Sequence, residues 1–284
     1  MEEKKFIDVQ KVLKENAPGL VKWLPKFVQN YLKKKLHEDE INEIMHELKD
    51  VHGLEFNRRG LEMLGAKIES VNAHNIPTDK NIILASNHPL GGLDGMAFVK
   101  AIGEVRPDVH FVVNDVLKNL KNYGDVFVGI NKIKKASHQS LRTMESVLNT
   151  DETLGIFPAG LVSRKLKDGI RDLTWKKSFV TQAKDHKRLI VPVFIEGQNS
   201  SFFYRISNLR KRFGINANIE MLFLPDEMFK QKGKTIRVHF GKPFDPTILD
   251  KRKSHKGWAN QIKEYIYSED FKKQTPFEDY METI

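Results

Sequence analysis

The stretch "NIILASNHPLGGLDGMAFVKAIG", residues 81–103, decides how the chain is read. It opens with an unbroken apolar run, NIILAS (81–86), passes through a turn rich in proline and glycine, and continues from Asp94 in a helical pattern to residue 103. A strand with no polar alternation is one buried on both faces, as in a parallel sheet covered by helices. The same texture recurs downstream. Further strands are predicted at 109–114, 126–130, 153–157, 189–195, 218–224 and 235–240, and helical patterns near 137–149, 171–186, 200–212 and 254–273. Strand–helix alternation predicts an α/β fold with a largely parallel central sheet flanked by helices, preceded by an N-terminal helical segment.

The composition supports a packed core. Of 284 residues, 40% are hydrophobic, and 18 are Phe. There is no cysteine, which removes disulfides, thiolate nucleophiles and cysteine-ligated zinc. No window approaches ~18 consecutive apolar residues, the length of a membrane span. The net charge of +10, from 47 basic and 37 acidic side chains, favours an anionic partner: nucleic acid, an anionic membrane surface or an acidic carrier protein. No zinc-finger spacing, aromatic RNA-binding signature or basic zipper is present, so nucleic acid is not expected.

Residues 1–60 read as a helical segment and 61–284 as the α/β domain. In "PGLVKWLPKFVQNYLKKKLH", Leu20, Leu24, Phe27, Val28, Tyr31 and Leu32 share one side and Lys22, Lys26, Gln29 and Lys33 another. Pro25 is expected to kink or restart this helix. Two readings stand: an interfacial membrane helix, or an ordinary helix packed on the core.

His88 and Asp94 flank Pro89, Gly91 and Gly92 in a strand-end turn, the place where α/β sheets gather ligands. A neutral imidazole beside a carboxylate is the unit of general-base chemistry. The plainer alternative is an N-cap Asp and a structural His. A second strand-end loop, LGIFPAGLVSRK (154–165), carries glycine, Ser163 and the adjacent cations Arg164 and Lys165, a composition suited to holding an anion. A third, FVGINKIKK (127–135), ends a strand in polar and basic residues. In a fourth, LIVPVFIEGQNSSFFY (189–204), a proline lies within a buried strand. His110 and Asp115 match no metal spacing when taken with His88 and Asp94, so no metal is expected.

Taken together, Asn87-His88…Asp94, Gly129-Ile130, Phe157-Pro158-Ala159-Gly160 with Ser163-Arg164, and Val191-Pro192-Val193 resemble the four ordered blocks of the glycerolipid acyltransferases, the lysophosphatidic-acid and glycerol-3-phosphate enzymes. The six-step His–Asp spacing and Ala159 in place of the family's glutamate resemble its hemolysin-related branch, linked to ornithine and glycine lipids. The resemblance implies acyl transfer from an acyl carrier protein or CoA thioester to a hydroxyl or amine of a lipid acceptor, with no bound cofactor, by a peripheral protein on the cytoplasmic face of the membrane. His88 would act as general base, Asp94 as its orienting carboxylate, and Gly91 and Gly92 as oxyanion or turn residues. Phe157, Pro158, Gly160, Ser163 and Arg164 would contact the acceptor or its phosphate, aided by Asn131 and Lys132. It also favours the interfacial reading of residues 18–36. A non-catalytic lipid- or carrier-binding protein of the same fold is the alternative.

Overall fold

The structure, a computed structural model, describes residues 5–9, 25–113, 120–129 and 143–283. In chain order these form helices α1 (Lys26–Lys35), α2 (Glu38–Glu47) and α3 (Gly53–Leu64), strands β1 (Lys67–Val71) and β2 (Ile82–Ser86), and helix α4 (Gly92–Gly103). Strands β3 (Val109–Val113) and β4 (Phe127–Gly129), helix α5 (Met144–Leu148), and strands β5 (Thr153–Ile156), β6 (Arg164–Leu166) and β7 (Gly169–Arg171) follow. The chain continues through α6 (Ser178–Asp185), β8 (Leu189–Ile195), α7 (Ser201–Arg212), α8 (Leu224–Phe229), β9 (Thr235–Phe240), α9 (His255–Ile266), α10 (Glu269–Lys272) and α11 (Phe277–Glu282).

Seven strands make one sheet in the order β1-β9-β8-β2-β5-β3-β4, with β2 at its centre. Every pairing is parallel except β8 with β9. The apolar run of β2 is divided between two cores by the alternation of a strand. Ile82 and Leu84 face the cluster that holds α3 and α4, and Ile83 and Ala85 face the cluster that holds α6 and α9. Helices therefore cover both faces, and the C-terminal end of β2 opens at the middle of the sheet edge, the position such folds use for ligands. Among the described residues no helix is long and apolar enough to cross a membrane.

Most predicted strands lie where the sequence places them, and the differences have local causes. Residues 218–224 form no strand: Ile219–Phe223 is a 3-10 turn, and Pro225 opens α8. Their short apolar run suggests a strand, but Glu220 is drawn inward by Arg164 and Arg210. The helix expected at 171–186 starts only at Ser178, because Arg171 is paired with Arg164 in the β6–β7 hairpin. The 254–273 helix breaks after Ile266, where Ser268 caps a new one by accepting the Phe271 N–H. Strand β1, a short edge strand with charged residues, was not expected. Pro25 restarts the chain as the N-cap of α1, and the part of the 18–36 segment before it lies outside the described residues.

One buried cation ties the sheet to its crossovers. Arg188 is fully buried, and its guanidinium donates to the carbonyls of Glu152 (2.6 Å), Val147 (2.9 Å), Leu148 (3.1 Å) and Thr150. These include carbonyls at the C-terminus of α5, which the helix itself leaves without partners. Replacing Arg188 with Met strands several buried acceptors at once. Arg188→Met is expected to lower unfolding free energy by about 2–4 kcal/mol, read by urea denaturation; a change under about 0.5 kcal/mol would deny the guanidinium this role.

Candidate active site

Chain ends and turns at the tip of β2 are held by a continuous set of hydrogen bonds. The Asn87 side chain behaves as one more strand pair: its Nδ2 donates to the Ile195 carbonyl (2.9 Å), and its Oδ1 accepts the Ile195 N–H (2.7 Å). The His88 carbonyl accepts the Ser163 N–H (2.7 Å), and Asn199 Nδ2 donates to the Pro89 carbonyl (3.2 Å). Gly91 adopts φ +80°, and a Cβ there would lie 2.9 Å from the Leu224 side chain, so both backbone and neighbour require glycine.

Within this frame Asp94, fully buried in the first turn of α4, spends both carboxylate oxygens on the turn. Its Oδ1 lies 2.9 Å from His88 Nδ1, and its Oδ2 accepts the N–H groups of Leu90 (2.6 Å) and Gly91 (3.2 Å). With Nδ1–H directed at the carboxylate, the lone pair of a neutral imidazole sits on Nε2. The ring lies flat on Phe157, with centroids 4.1 Å apart and planes at 17°, and Phe157 is itself packed edge-on against Phe111. The His88 side chain keeps 17% of its surface exposed. The arrangement can accept a proton from a group arriving on the solvent side, and it can stabilise the cation that results.

The other expected contacts are distributed differently. Phe157 supports the imidazole from below. Pro158 and Gly160 form a tight turn closed by the Gly160 N–H to the Phe157 carbonyl (3.0 Å), and the Pro158 carbonyl accepts the Lys176 N–H. Gly160 has φ +65°, and the Lys176 ammonium lies 3.0 Å from where its Cβ would be, so Lys176 is the cation above this turn. Ala159 is buried and belongs to the apolar core cluster that also holds Trp175, a place hostile to a carboxylate.

Two residues expected to grip an anion are already engaged. Ser163 donates its hydroxyl to Asp172 Oδ1 (2.5 Å). Arg164 is 1% exposed, paired with Glu220 (2.8 Å), bonded to the Val162 carbonyl and set over the Phe203 ring. Its charge is spent inside the protein. Gly91's N–H is taken by Asp94, so of the two turn glycines only Gly92, exposed in the first helical turn, offers a backbone donor. Asn131 and Lys132 lie outside the described residues. His110 is occupied by the Asp125 carbonyl (2.6 Å) and Glu152. Among the described residues, no group of three or more His, Asp or Glu side chains is placed to hold a metal.

The residue that sequence reasoning missed is Asp172. It is fully buried and accepts three donors: the His88 N–H (3.1 Å), the Ser163 hydroxyl and Trp175 Nε1–H (2.8 Å). The Tyr267 hydroxyl in turn accepts the Asp172 N–H (3.0 Å). Burial pushes the Asp172 carboxyl up, against the pull of these donors. Nothing local marked it, since His88 stands 84 residues away in the chain.

A sequence profile described as acyltransferase matches residues 11–273. The chain belongs to the acyltransferase family. It is 43% identical over 263 residues to a lyso-glycine lipid O-acyltransferase of Bacteroides thetaiotaomicron, a match covering 92% of this chain and 97% of that one. A protein of the same name from Phocaeicola vulgatus is 39% identical over 263 residues, covering 92% and 94%. Among solved structures, the 1-acyl-sn-glycerophosphate (LPA) acyltransferase PlsC of Thermotoga maritima is similar at 16% identity with a TM-score of 0.46, covering 84% of this chain and 86% of that one.

In this acyltransferase, burial disfavours the His88 cation, but the charge and hydrogen bond of Asp94, with the charge of Asp172, outweigh it and raise the imidazole pKa above 6.5. The sign follows directly. A raised pKa keeps His88 protonated to higher pH, and the neutral base form is lost as pH falls through that value. The acid limb of kcat/KM is expected above pH 6.5, and Asp94→Asn, which removes the largest raising influence, is expected to move it downward. A limb that stays in place in Asp94→Asn would detach it from His88.

Proposed function

We propose that the acyltransferase moves a fatty acyl group from an acyl thioester to the hydroxyl of a lyso-glycine lipid, with His88 as general base. The observation that carries this reading is the His88–Asp94 pair just beyond the end of the central strand, with Nδ1 held by the carboxylate and the imidazole partly exposed. The two relatives that match nearly the whole chain are both named for O-acylation of that lipid.

The acceptor hydroxyl approaches Nε2 and gives up its proton as its oxygen attacks the thioester carbonyl. Asp94 holds the imidazole in the Nδ1–H tautomer and balances the imidazolium. The Gly92 N–H is the backbone donor for the oxyanion that develops on the carbonyl. Collapse of that intermediate breaks the C–S bond, and the imidazolium returns its proton to the departing thiolate. The carrier is acyl carrier protein or CoA. No covalent acyl-enzyme is needed.

The acceptor resides in a lipid surface, and we read α1 as the segment that meets it. None of its residues is buried; Phe27 and Tyr31 are 74% and 50% exposed, beside Lys26 and Lys34. Apolar side chains next to lysines suit the interface of an anionic bilayer.

The test presents purified protein and acyl-carrier-protein or CoA thioesters with lyso-glycine lipid or lysophosphatidate in anionic vesicles, and reads products by mass spectrometry. The expected result is O-acylation of lyso-glycine lipid, with at least tenfold preference in kcat/KM. Equal or better use of lysophosphatidate would overturn the reading.

A further inference from the structure

With Arg164 turned inward, the acceptor's anionic head needs another partner, and the fold supplies one beside the catalytic turn. The alternation of strand β6 that buries Arg164 puts Lys165 on the opposite, exposed side. There it lines a cavity of about 570 Å³, between the β6–β7 hairpin, α7 and the segment from α8 to β9. Cavities of this size accept small-molecule groups. Its walls hold four cations, Lys165, Arg205, Lys230 and Lys234, against a single carboxylate, Glu227.

The charges are unevenly matched. Lys230 is neutralised by Asp226 and Glu227, each at 2.7 Å, and Glu227 is fixed by both the N–H and the hydroxyl of Ser200. Lys165 and Arg205 have no carboxylate partner among the described residues, and the Lys234 ammonium meets only the neutral Gln231 side chain (3.2 Å). The first turn of α7, with its positive dipole end, lines the same space. Cations gathered from three separate elements raise the positive potential in the cavity and favour an anion there.

The cavity is also built onto the catalytic turn. Asn199, in its wall, donates to the carbonyl of Pro89, the residue after His88. Two residues earlier, Gly197 has φ +144° and packs so tightly on Leu90 that a Cβ would lie 2.7 Å from it.

We propose that this cavity is the headgroup subsite of the acceptor, with Lys165, Arg205 and Lys234 receiving its anionic group, the carboxylate of an N-acyl amino acid. The assignment of a carboxylate rests on the acceptor reading above; the assignment of an anion rests on the cavity alone. Arg164 then serves to shape the hairpin that presents Lys165.

The test is the set Lys165→Gln, Arg205→Gln, Lys234→Gln and their triple combination, assayed with lyso-glycine lipid, its methyl ester and lysophosphatidate. All three side chains are exposed, and thermal melting verifies the fold. The expected result is a KM for lyso-glycine lipid raised about tenfold or more by a single substitution and further by the triple, with kcat and donor KM unchanged. The methyl ester is expected to start from the high KM and to be insensitive to the substitutions. An acceptor KM within twofold of wild type in the triple variant overturns the subsite, and so does a rise confined to the donor KM. If wild type instead uses lysophosphatidate, and the triple raises that KM, the anion subsite stands and the glycine-lipid acceptor falls.

Discussion

Everything in this site depends on the buried carboxylate of Asp94. An isolated carboxylate with no exposure is costly, and this one is tolerated because three donors converge on it: the imidazole and two backbone N–H groups of the turn. The same three contacts close the turn, orient His88 and fix its tautomer. The six-residue spacing from His88 to Asp94 is accommodated because Gly91 takes a positive φ, which brings its own N–H back onto the carboxylate. The sequence offered Asp94 as a plain N-cap or as the partner of His88; in the structure Gly91 is the N-cap, and Asp94, three residues on, is bonded to the imidazole while it accepts the Gly91 N–H.

Around that pair the protein separates its charges by direction. Asp172 and Glu220 hold Ser163 and Arg164 from the inside, and the hairpin between them turns Lys165 outward. Cations that look equivalent in the string Ser163-Arg164-Lys165 therefore have opposite environments. One is a buried internal counter-ion, and the other is part of an open, positively charged cavity. Ala159 fits the same pattern, because its position belongs to the apolar core.

How much could be read beforehand follows from the range of the interactions. Strand β2, its turn and α4 were legible because an apolar run, turn glycines and a helical period are local signals. The His88–Asp94 pair was legible because its partners are six residues apart. Asp172 was invisible, since the contact that ties it to His88 spans 84 residues, and "RDLTW" looked like the start of a helix. The 218–224 segment misled for a related reason: a short apolar run suggested a strand, whereas Glu220 is held by Arg210 and, across 56 residues, by Arg164. Orientation of Arg164 against Lys165 could be known only once the β6–β7 hairpin was in view.

The central claim is that one nitrogen, Nε2 of His88, takes the proton from the acceptor. Its most direct test is the turnover of His88→Ala on lyso-glycine lipid at saturating donor, with unfolding measured alongside. The account predicts a fall in kcat of roughly 10²–10⁴-fold with the fold retained. Turnover within about tenfold of the wild-type rate would contradict it.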